Sequence, residues 1–188
     1  SEIHSLDLSN FDTKSISHMQ SVFKSCLNLT SLNVSSFKME NVRDVYGLFE
    51  SCKNLKHLEL WKSGINRIRK MPDLFKDTGL EIIDLSHFNT TGVEDMDCLF
   101  DGSYQLKSIK FGVFDTSTVT SMYSMFGGCT SLSSINISNF NTSKLIDIRN
   151  MFSNTGLETI NLSSFNTKNV EQMDSLFRGS KKLKNISF

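Results

Sequence analysis

Cysteine and histidine are the residues of this chain that could serve as nucleophiles, general bases or metal ligands. No cysteines form a Cys-x-x-Cys pair, and no two histidines stand at metal-ligand spacing, which are the patterns typical of zinc and redox sites. No Ser-His-Asp set can be tied together either. We therefore predict no catalytic residue, no metal site and no cofactor, and we predict that the chain is not an enzyme. The residues concerned are Cys26, Cys52, Cys98, Cys129, His4, His18, His57 and His87.

Three of these cysteines occupy the same place in different segments of the chain, which indicates a structural role. Cys26, Cys52 and Cys129 stand where other segments have threonine or serine. One interpretation is a buried column of small side chains. The other is a disulfide between Cys26 and Cys52, because residues of one column in adjacent layers can approach to about 5 Å, which a bridge permits.

The secondary structure that positions these residues can be predicted from a sequence repeat of 25 or 26 residues. Superposing the chain on itself gives about seven repeats, each with Leu-x-x-Leu-x-Leu, then Phe followed by Asp/Asn-Thr, then Val-x-x-Met-x-x-Leu/Met-Phe. Self-similarity at a fixed period of this length is typical of solenoids. The repeats begin at Ile3, Leu29, Leu55, Leu80, Leu106, Leu132 and Leu157, with a partial repeat from Leu183.

The apolar pieces of each repeat differ in periodicity. The alternating Leu-x-Leu predicts a short strand, and the three-residue spacing of the last piece predicts one or two tight helical turns. A single repeat cannot fold alone, so the repeats must stack. We predict one α/β domain over residues 1–188. It is a right-handed leucine-rich-repeat-like solenoid with short parallel strands on one face, short helical turns on the other and two phenylalanine columns in the core.

Two features of the repeat pattern carry further expectations. Repeats three and six are one residue shorter, and each ends in Thr-Gly, at Gly79 and Gly156. We expect these glycines to supply the positive φ of a tighter return. The chain also begins inside a repeat and stops at Phe188 in the middle of one, so we expect it to be an excerpt of a longer chain.

Three strings of the sequence carry a family resemblance. They are Leu-Asp-Leu-Ser-Asn-Phe-Asp-Thr at residues 6–13, the run at 114–122 with Met-Phe-Gly-Gly-Cys at 125–129, and Leu-Ser-Ser-Phe-Asn-Thr at 162–167. These strings resemble the BspA-like leucine-rich repeats of bacterial surface proteins, among them lipoproteins and adhesins of Mycoplasma, Listeria and lactobacilli. The resemblance covers nearly the whole chain. It implies a cell-surface or secreted setting and a role in adhesion or recognition, and it implies no catalytic residues.

Repeat three departs from the pattern. It has Ser63 at the ninth place, where the other repeats have phenylalanine, and Trp61 interrupts a column of small residues on the outward face of the strands. An exposed aromatic side chain in a polar sheet is typical of a binding hot spot. The alternative is that Trp61 turns inward to fill the space of the missing phenylalanine. The predicted ligand face consists of Trp61, His57, Glu59, Ile82 and Asp84.

The balanced charge limits the partners. Lys+Arg and Asp+Glu both total 20, so no basic excess attracts nucleic acid, and no run of about 18 apolar residues predicts membrane insertion by this segment. We expect a recognition or adhesion module whose strand face binds a protein or glycan, such as host extracellular matrix or another cell surface. The alternatives are a structural spacer or assembly unit without a ligand, and end-to-end self-association through the open ends of the solenoid.

Overall fold

The strands of neighbouring repeats pair side by side and in parallel. The computed structural model describes residues 2–62, 64–112 and 114–188. Facing residues of the first three strands are 26 positions apart, as in the register of Leu6, Leu32 and Leu58. The predicted stack of repeats is confirmed, and the chain is a parallel β-solenoid of about seven turns. The strands are β1 (Ser5–Asp7), β2 (Ser31–Asn33), β3 (His57–Glu59), β4 (Ile82–Leu85), β5 (Ser108–Phe111), β6 (Thr159–Asn161) and β7 (Asn185–Ser187).

The strand face is interrupted at two places. Its sheets are β1–β2–β3, β4–β5 and β6–β7. Among the described residues no ladder joins β3 to β4, and residues 132–137 of the sixth repeat form no strand. The break between β3 and β4 comes directly after the first of the two 25-residue repeats, so the shortened return and the interrupted sheet coincide there.

The glycines of the two short repeats allow a close approach of backbones, not a positive φ. Neither Gly79 nor Gly156 has a positive φ, so that expectation is wrong. A Cβ on Gly79 would lie 2.1 Å from the carbonyl oxygen of Lys53, and one on Gly156 would lie 2.2 Å from that of Thr130. The short return therefore needs glycine because one repeat passes directly against the main chain of the repeat before it.

The face opposite the strands contains no helix in the described part of the chain, so the predicted helical turns are wrong. Two residues of each repeat, four positions apart, have positive φ, as at Asp73 (φ 56°) and Asp77 (φ 54°). A right-handed helix requires negative φ throughout, so each of these residues ends a turn before a helix can continue. The positive-φ residues of this face are Ser21, Ser25, Gly47, Ser51, Asp73, Asp77, Cys98, Gly102, Ser124, Gly128, Asn150, Asn154, Ser175 and Gly179.

Hydrogen bonds on this face run between repeats. Alternate N–H groups donate to a carbonyl of the next repeat, as from Asp77 to Asp101 (N···O 2.7 Å). Other N–H groups close tight turns within their own repeat, as from Lys76 to Asp73 (3.2 Å). We call the inter-repeat hydrogen bonds of this face, such as the one from Asp77 to Asp101, the turn ladder. Residues 2–62, 64–112 and 114–188 include no helix long and apolar enough to cross a membrane.

A column of phenylalanine rings fills the core between the strands and the turn ladder. Neighbouring ring centroids are 5.6–5.8 Å apart and the ring planes lie within 5–10° of parallel. Stacking of this kind adds to the apolar burial of each ring. The stacked column is Phe23, Phe49, Phe75, Phe100, Phe126, Phe152 and Phe177.

The threonine of the Phe-x-Thr piece ties each repeat to the next. Thr90 and Thr116 are buried. The Oγ1 of Thr90 donates to the carbonyl oxygen of Asp115 at 2.7 Å, and that of Thr116 donates to Asn141 at 3.1 Å. Each hydroxyl satisfies a main-chain carbonyl in the interior, where an unpaired polar group is costly. The recurring Phe-x-Thr string is therefore explained by packing and hydrogen bonding within the stack.

Candidate functional site

In five repeats, the outward residue between the last two apolar residues of Leu-x-x-Leu-x-Leu stabilises a turn of the main chain. We call these residues the outward column of the strands. At these places an Asp or Asn oxygen accepts the main-chain N–H of the residue two positions later, as Asp84 does from Ser86 at 2.8 Å. This arrangement is an Asx turn, which turns the chain at the end of the strand. Repeats three and five have Glu59 and Lys110 at this place and make no such turn among the described residues. The Asx-turn residues are Asp7, Asn33, Asp84, Asn136 and Asn161.

Trp61 lies in the core, as the inward interpretation expects. It is 3% exposed, and its ring centroid is 5.5 Å from that of Phe88 and 6.3 Å from that of Phe49. The indole thus packs among the phenylalanines of neighbouring repeats. Ser63, which takes the place of phenylalanine in the sequence, lies outside the described residues. Trp61 is therefore not an exposed member of the predicted ligand face, because its ring is buried by these aromatic contacts.

A cleft opens at the break between β3 and β4. It has a volume of about 200 Å³ and lies at repeat three, one of the two repeats that lack the Asx turn. Because β3 does not pair with β4, the two strands leave a gap that paired strands close elsewhere in the solenoid. We call this depression the seam cleft. Its lining includes Leu58, Glu59, Trp61, Lys62, Asp84 and His87.

The other four residues of the predicted ligand face lie together around this break. His57 and Glu59 belong to β3, Ile82 and Asp84 belong to β4, and all four are exposed. Glu59 and Asp84 line the seam cleft, whereas His57 and Ile82 stand on the strands outside it. Ile82 is 66% exposed. The structure therefore places an apolar side chain among charged ones on a single outward surface.

The ionised form of Asp84 is stabilised by its hydrogen-bond partners. Its carboxylate accepts the Ser86 N–H and pairs with the Lys110 ammonium at 2.9 Å. Hydrogen bonds from Ser86, and then the one from Lys110, hold the pKa of Asp84 well below its ordinary value. Asp84 is therefore ionised at neutral pH. Lys110 belongs to this surface although the sequence pattern did not single it out.

The seam cleft can bind by apolar contact and hydrogen bonding. Leu58 and Trp61 supply apolar lining, and Lys62, Asp84 and His87 supply charged or polar groups, a combination that ligand sites use. Within the described residues, no three His, Cys, Asp or Glu side chains are grouped as metal ligands. Sequence reasoning missed Lys62 and His87, since their grouping depends on the opening of the sheet and no periodic signal marks it.

All four cysteines are free thiols in the structure, so the alternative prediction of a disulfide between Cys26 and Cys52 is wrong. The Cys52 thiol donates to the carbonyl oxygen of Phe23 at 3.0 Å, and the Cys129 thiol donates to that of Phe100 at 3.3 Å. Burial raises the pKa of Cys52 to about 12, which keeps the sulfur in the protonated form that donates. The column is therefore a row of small hydrogen-bond donors.

Replacing Ser103 with alanine is expected to lower the free energy of unfolding by about 1–3 kcal/mol. Ser103 is buried, its Oγ donates to the Phe75 carbonyl at 2.8 Å, and it accepts the Thr78 N–H at 3.2 Å. Alanine leaves both main-chain groups unpaired. Ser103→Cys is the matched control, because Cys52 and Cys129 donate from the equivalent place. Urea denaturation should show a smaller loss for cysteine, and equal losses would contradict the hydrogen-bond explanation.

Comparisons with known proteins place this repeat pattern in context. The family model described as "Mycoplasma protein of unknown function, DUF285" matches residues 2–80 and again residues 69–187. No curated protein sequence matches the chain. The crystal structure of a leucine-rich repeat protein from Bacteroides ovatus ATCC 8483 aligns over 91% of this chain at 16% identity, with a TM-score of 0.42. This chain spans 58% of the length of that protein.

Proposed function

We propose that this chain, which belongs to the family described as Mycoplasma protein of unknown function, DUF285, is a non-enzymatic recognition module at a cell surface or in secreted form. It binds a protein or glycan partner through the strand face. The family itself carries no assigned activity, so the proposal depends on the surface of the solenoid. A repeat stack buries the same core in each layer and leaves the outward residues of individual repeats available for binding.

The observation that carries the proposal is the surface at the break between β3 and β4. Five repeats form an Asx turn at one outward position of the strand, whereas Glu59 and Lys110 at that position do not, and the seam cleft opens beside Glu59. Ile82 is 66% exposed next to this cleft. A large apolar side chain surrounded by charged residues is typical of the centre of an interface, where burial gives affinity and the polar rim gives specificity.

The double variant His57→Ala/Ile82→Ala tests this surface. Wild-type chain is first screened against immobilised matrix proteins and a glycan array. We expect the variant to bind each captured partner at least about tenfold more weakly, since removing an interface hot spot costs about 2 kcal/mol or more. Ile146→Ala is the matched control, because Ile146 is 39% exposed on a different part of the solenoid. Unchanged affinity of the double variant for every partner would rule out this surface as the binding site.

A spacer or assembly role is the second candidate. It is favoured by the five Asx turns, which assign much of the outward strand column to holding the backbone. In that role the number of repeats sets the reach of the protein and the strand face has no ligand. A screen with no saturable binding to any matrix protein or glycan would favour it. End-to-end self-association stays a prediction, and sedimentation velocity over a range of concentrations would test it.

A further inference from the structure

Positive charge is concentrated on one corner of repeats two and three, although the chain as a whole is neutral. Two adjoining depressions at this corner share Arg43 and have volumes of about 320 and 420 Å³. Four cationic side chains line them, against one carboxylate, that of Asp44. We call the pair of depressions the basic groove. Its defining residues are His18, Arg43, Tyr46, Arg67, Arg69 and Lys70.

Two of the arginines in the basic groove have their charge available. Arg43 and Arg67 are exposed, and within residues 2–62, 64–112 and 114–188 neither has a carboxylate oxygen within 4.0 Å. Lys70 lies 4.0 Å from Asp95, which is a weak pairing at a surface. Among the residues that the structure describes, Arg69 donates only to main-chain carbonyl oxygens. The groove therefore presents guanidinium groups that can take an anionic oxygen pair in bidentate fashion.

A fixed aromatic ring lies beside these cations. Tyr46 is 41% exposed, the Asp73 carboxylate raises the pKa of its hydroxyl by hydrogen bonding, and its main-chain N–H donates to the Asp44 carboxylate at 2.9 Å. Pro72 lines the same depression. The remaining lining consists of hydroxyl, imidazole and amide side chains. An apolar platform bordered by neutral polar groups suits a sugar ring, which has an apolar face and a hydroxylated edge.

We propose that the basic groove binds an acidic oligosaccharide. Its sulfate or carboxylate groups pair with Arg43 and Arg67, and one of its sugar rings packs against Tyr46. Arg43 belongs to repeat two and Arg67 to repeat three, and adjacent layers of a sheet are about 4.8 Å apart, so one oligosaccharide can reach both arginines. The groove lies away from the seam cleft, and the proposal does not depend on ligand binding by the strand face.

Other polyanions fit this groove less well. A nucleic-acid-binding domain carries a net positive field, whereas this chain has a formal net charge of zero and an isoelectric point near 6.9. Binding to an anionic membrane surface combines basic residues with apolar side chains that enter the lipid. Apart from Tyr46 and Pro72, the lining of the basic groove is polar or charged. An acidic sugar chain uses both the cations and the neutral polar groups.

Fluorescence anisotropy with a labelled heparin-derived octasaccharide tests the proposal on the whole chain. We expect saturable binding that weakens as salt is raised and is lost for the fully desulfated octasaccharide. Arg43→Ala/Arg67→Ala is expected to weaken binding at least about tenfold, because charge-assisted bidentate bonds are lost. The matched control, Lys144→Ala/Lys168→Ala, removes the same charge from a depression in the later repeats and should bind within about twofold of wild type.

Substitution of Tyr46 provides a second test, because a purely electrostatic attraction would not depend on its aromatic ring. Tyr46→Leu is expected to weaken binding about threefold or more, while Tyr46→Phe keeps the ring and the affinity. Circular dichroism melting verifies that each variant is folded. Three results would overturn the proposal: no saturable binding of the octasaccharide, equal losses in the two double variants, or tighter binding of a single-stranded oligonucleotide or of phosphatidylserine vesicles than of the octasaccharide.

Discussion

Replacing Phe100 with alanine is expected to lower the free energy of unfolding by about 3–5 kcal/mol. Phe100 is 1% exposed and stacks between Phe75 at 5.6 Å and Phe126 at 5.7 Å. Alanine opens a cavity in the middle of the column and removes contacts to both neighbouring rings. Because each repeat is stabilised by its neighbours, one substitution weakens two interfaces. Equilibrium urea denaturation followed by circular dichroism measures the loss.

Phe11→Ala and Phe100→Leu are the controls for this prediction. Phe11 is 55% exposed and lies 6.4 Å from Phe37 in a tilted arrangement, so its truncation should cost less than about 1 kcal/mol. Phe100→Leu keeps most of the volume and should cost about 1–2 kcal/mol. If Phe100→Ala proves no more destabilising than Phe11→Ala, the stacked column is not the main source of stability.

Replacing Gly79 with alanine is expected to destabilise the chain by about 3 kcal/mol or more. The new Cβ would lie 2.1 Å from the Lys53 carbonyl oxygen and 3.2 Å from that of Leu55. Both obstacles are main-chain atoms at the junction of repeats two and three, so relief requires the stack itself to move. Gly156→Ala should behave alike, since its Cβ would meet the Thr130 carbonyl oxygen at 2.2 Å. Thermal and urea unfolding of each variant measure the effect.

Gly102→Ala separates this clash from the conformational role of glycine. Gly102 has φ +69°, but a Cβ there would meet no atom closer than 3.7 Å. The expected cost is therefore about 1–2 kcal/mol, the strain of a left-handed residue with a side chain. A smaller loss for Gly79→Ala than for Gly102→Ala would show that the backbones at the short return can separate easily.

The strand face was predictable because its signal is local and repeated. Leu6, Leu32 and Leu58 alternate with polar residues at a constant interval, and this pattern suits only a strand with one buried side. The stack followed from the same interval, since one repeat has too little apolar surface to fold alone. The phenylalanine at the end of each repeat was likewise predicted as a core column, and its rings do stack in the interior.

The turn ladder could not be predicted from apolar spacing alone. A three-residue interval arises from a helical turn and also from tight turns linked by left-handed residues. The discriminating signal is the recurrence of serine, glycine, aspartate and asparagine at fixed places, as at Ser51, Gly102 and Asn154. Glycine and asparagine adopt positive φ most readily. Cys98 occupies the same kind of place, which explains why it lies apart from the column of the other three cysteines.

The candidate site was predictable only in part. The irregular repeat marked His57, Glu59, Ile82 and Asp84, and the missing phenylalanine gave a reason for Trp61 to turn inward. The seam cleft has no counterpart in the sequence, because it arises where two strands fail to pair. The basic groove is equally hidden, since its cations come from separate repeats and become neighbours only through the stacking.

The constant spacing of facing residues has a consequence for folding kinetics. Partners across the strands, across the turn ladder and along the phenylalanine column are about one repeat apart in sequence. Adding a layer therefore closes a loop of the same modest length at every point of the chain, and the entropy lost in closure does not grow as the stack lengthens. The relative contact order, which is the mean sequence separation of contacting residues divided by chain length, falls as repeats are added. The rate-limiting step of folding is therefore set by the first few layers rather than by the length of the protein.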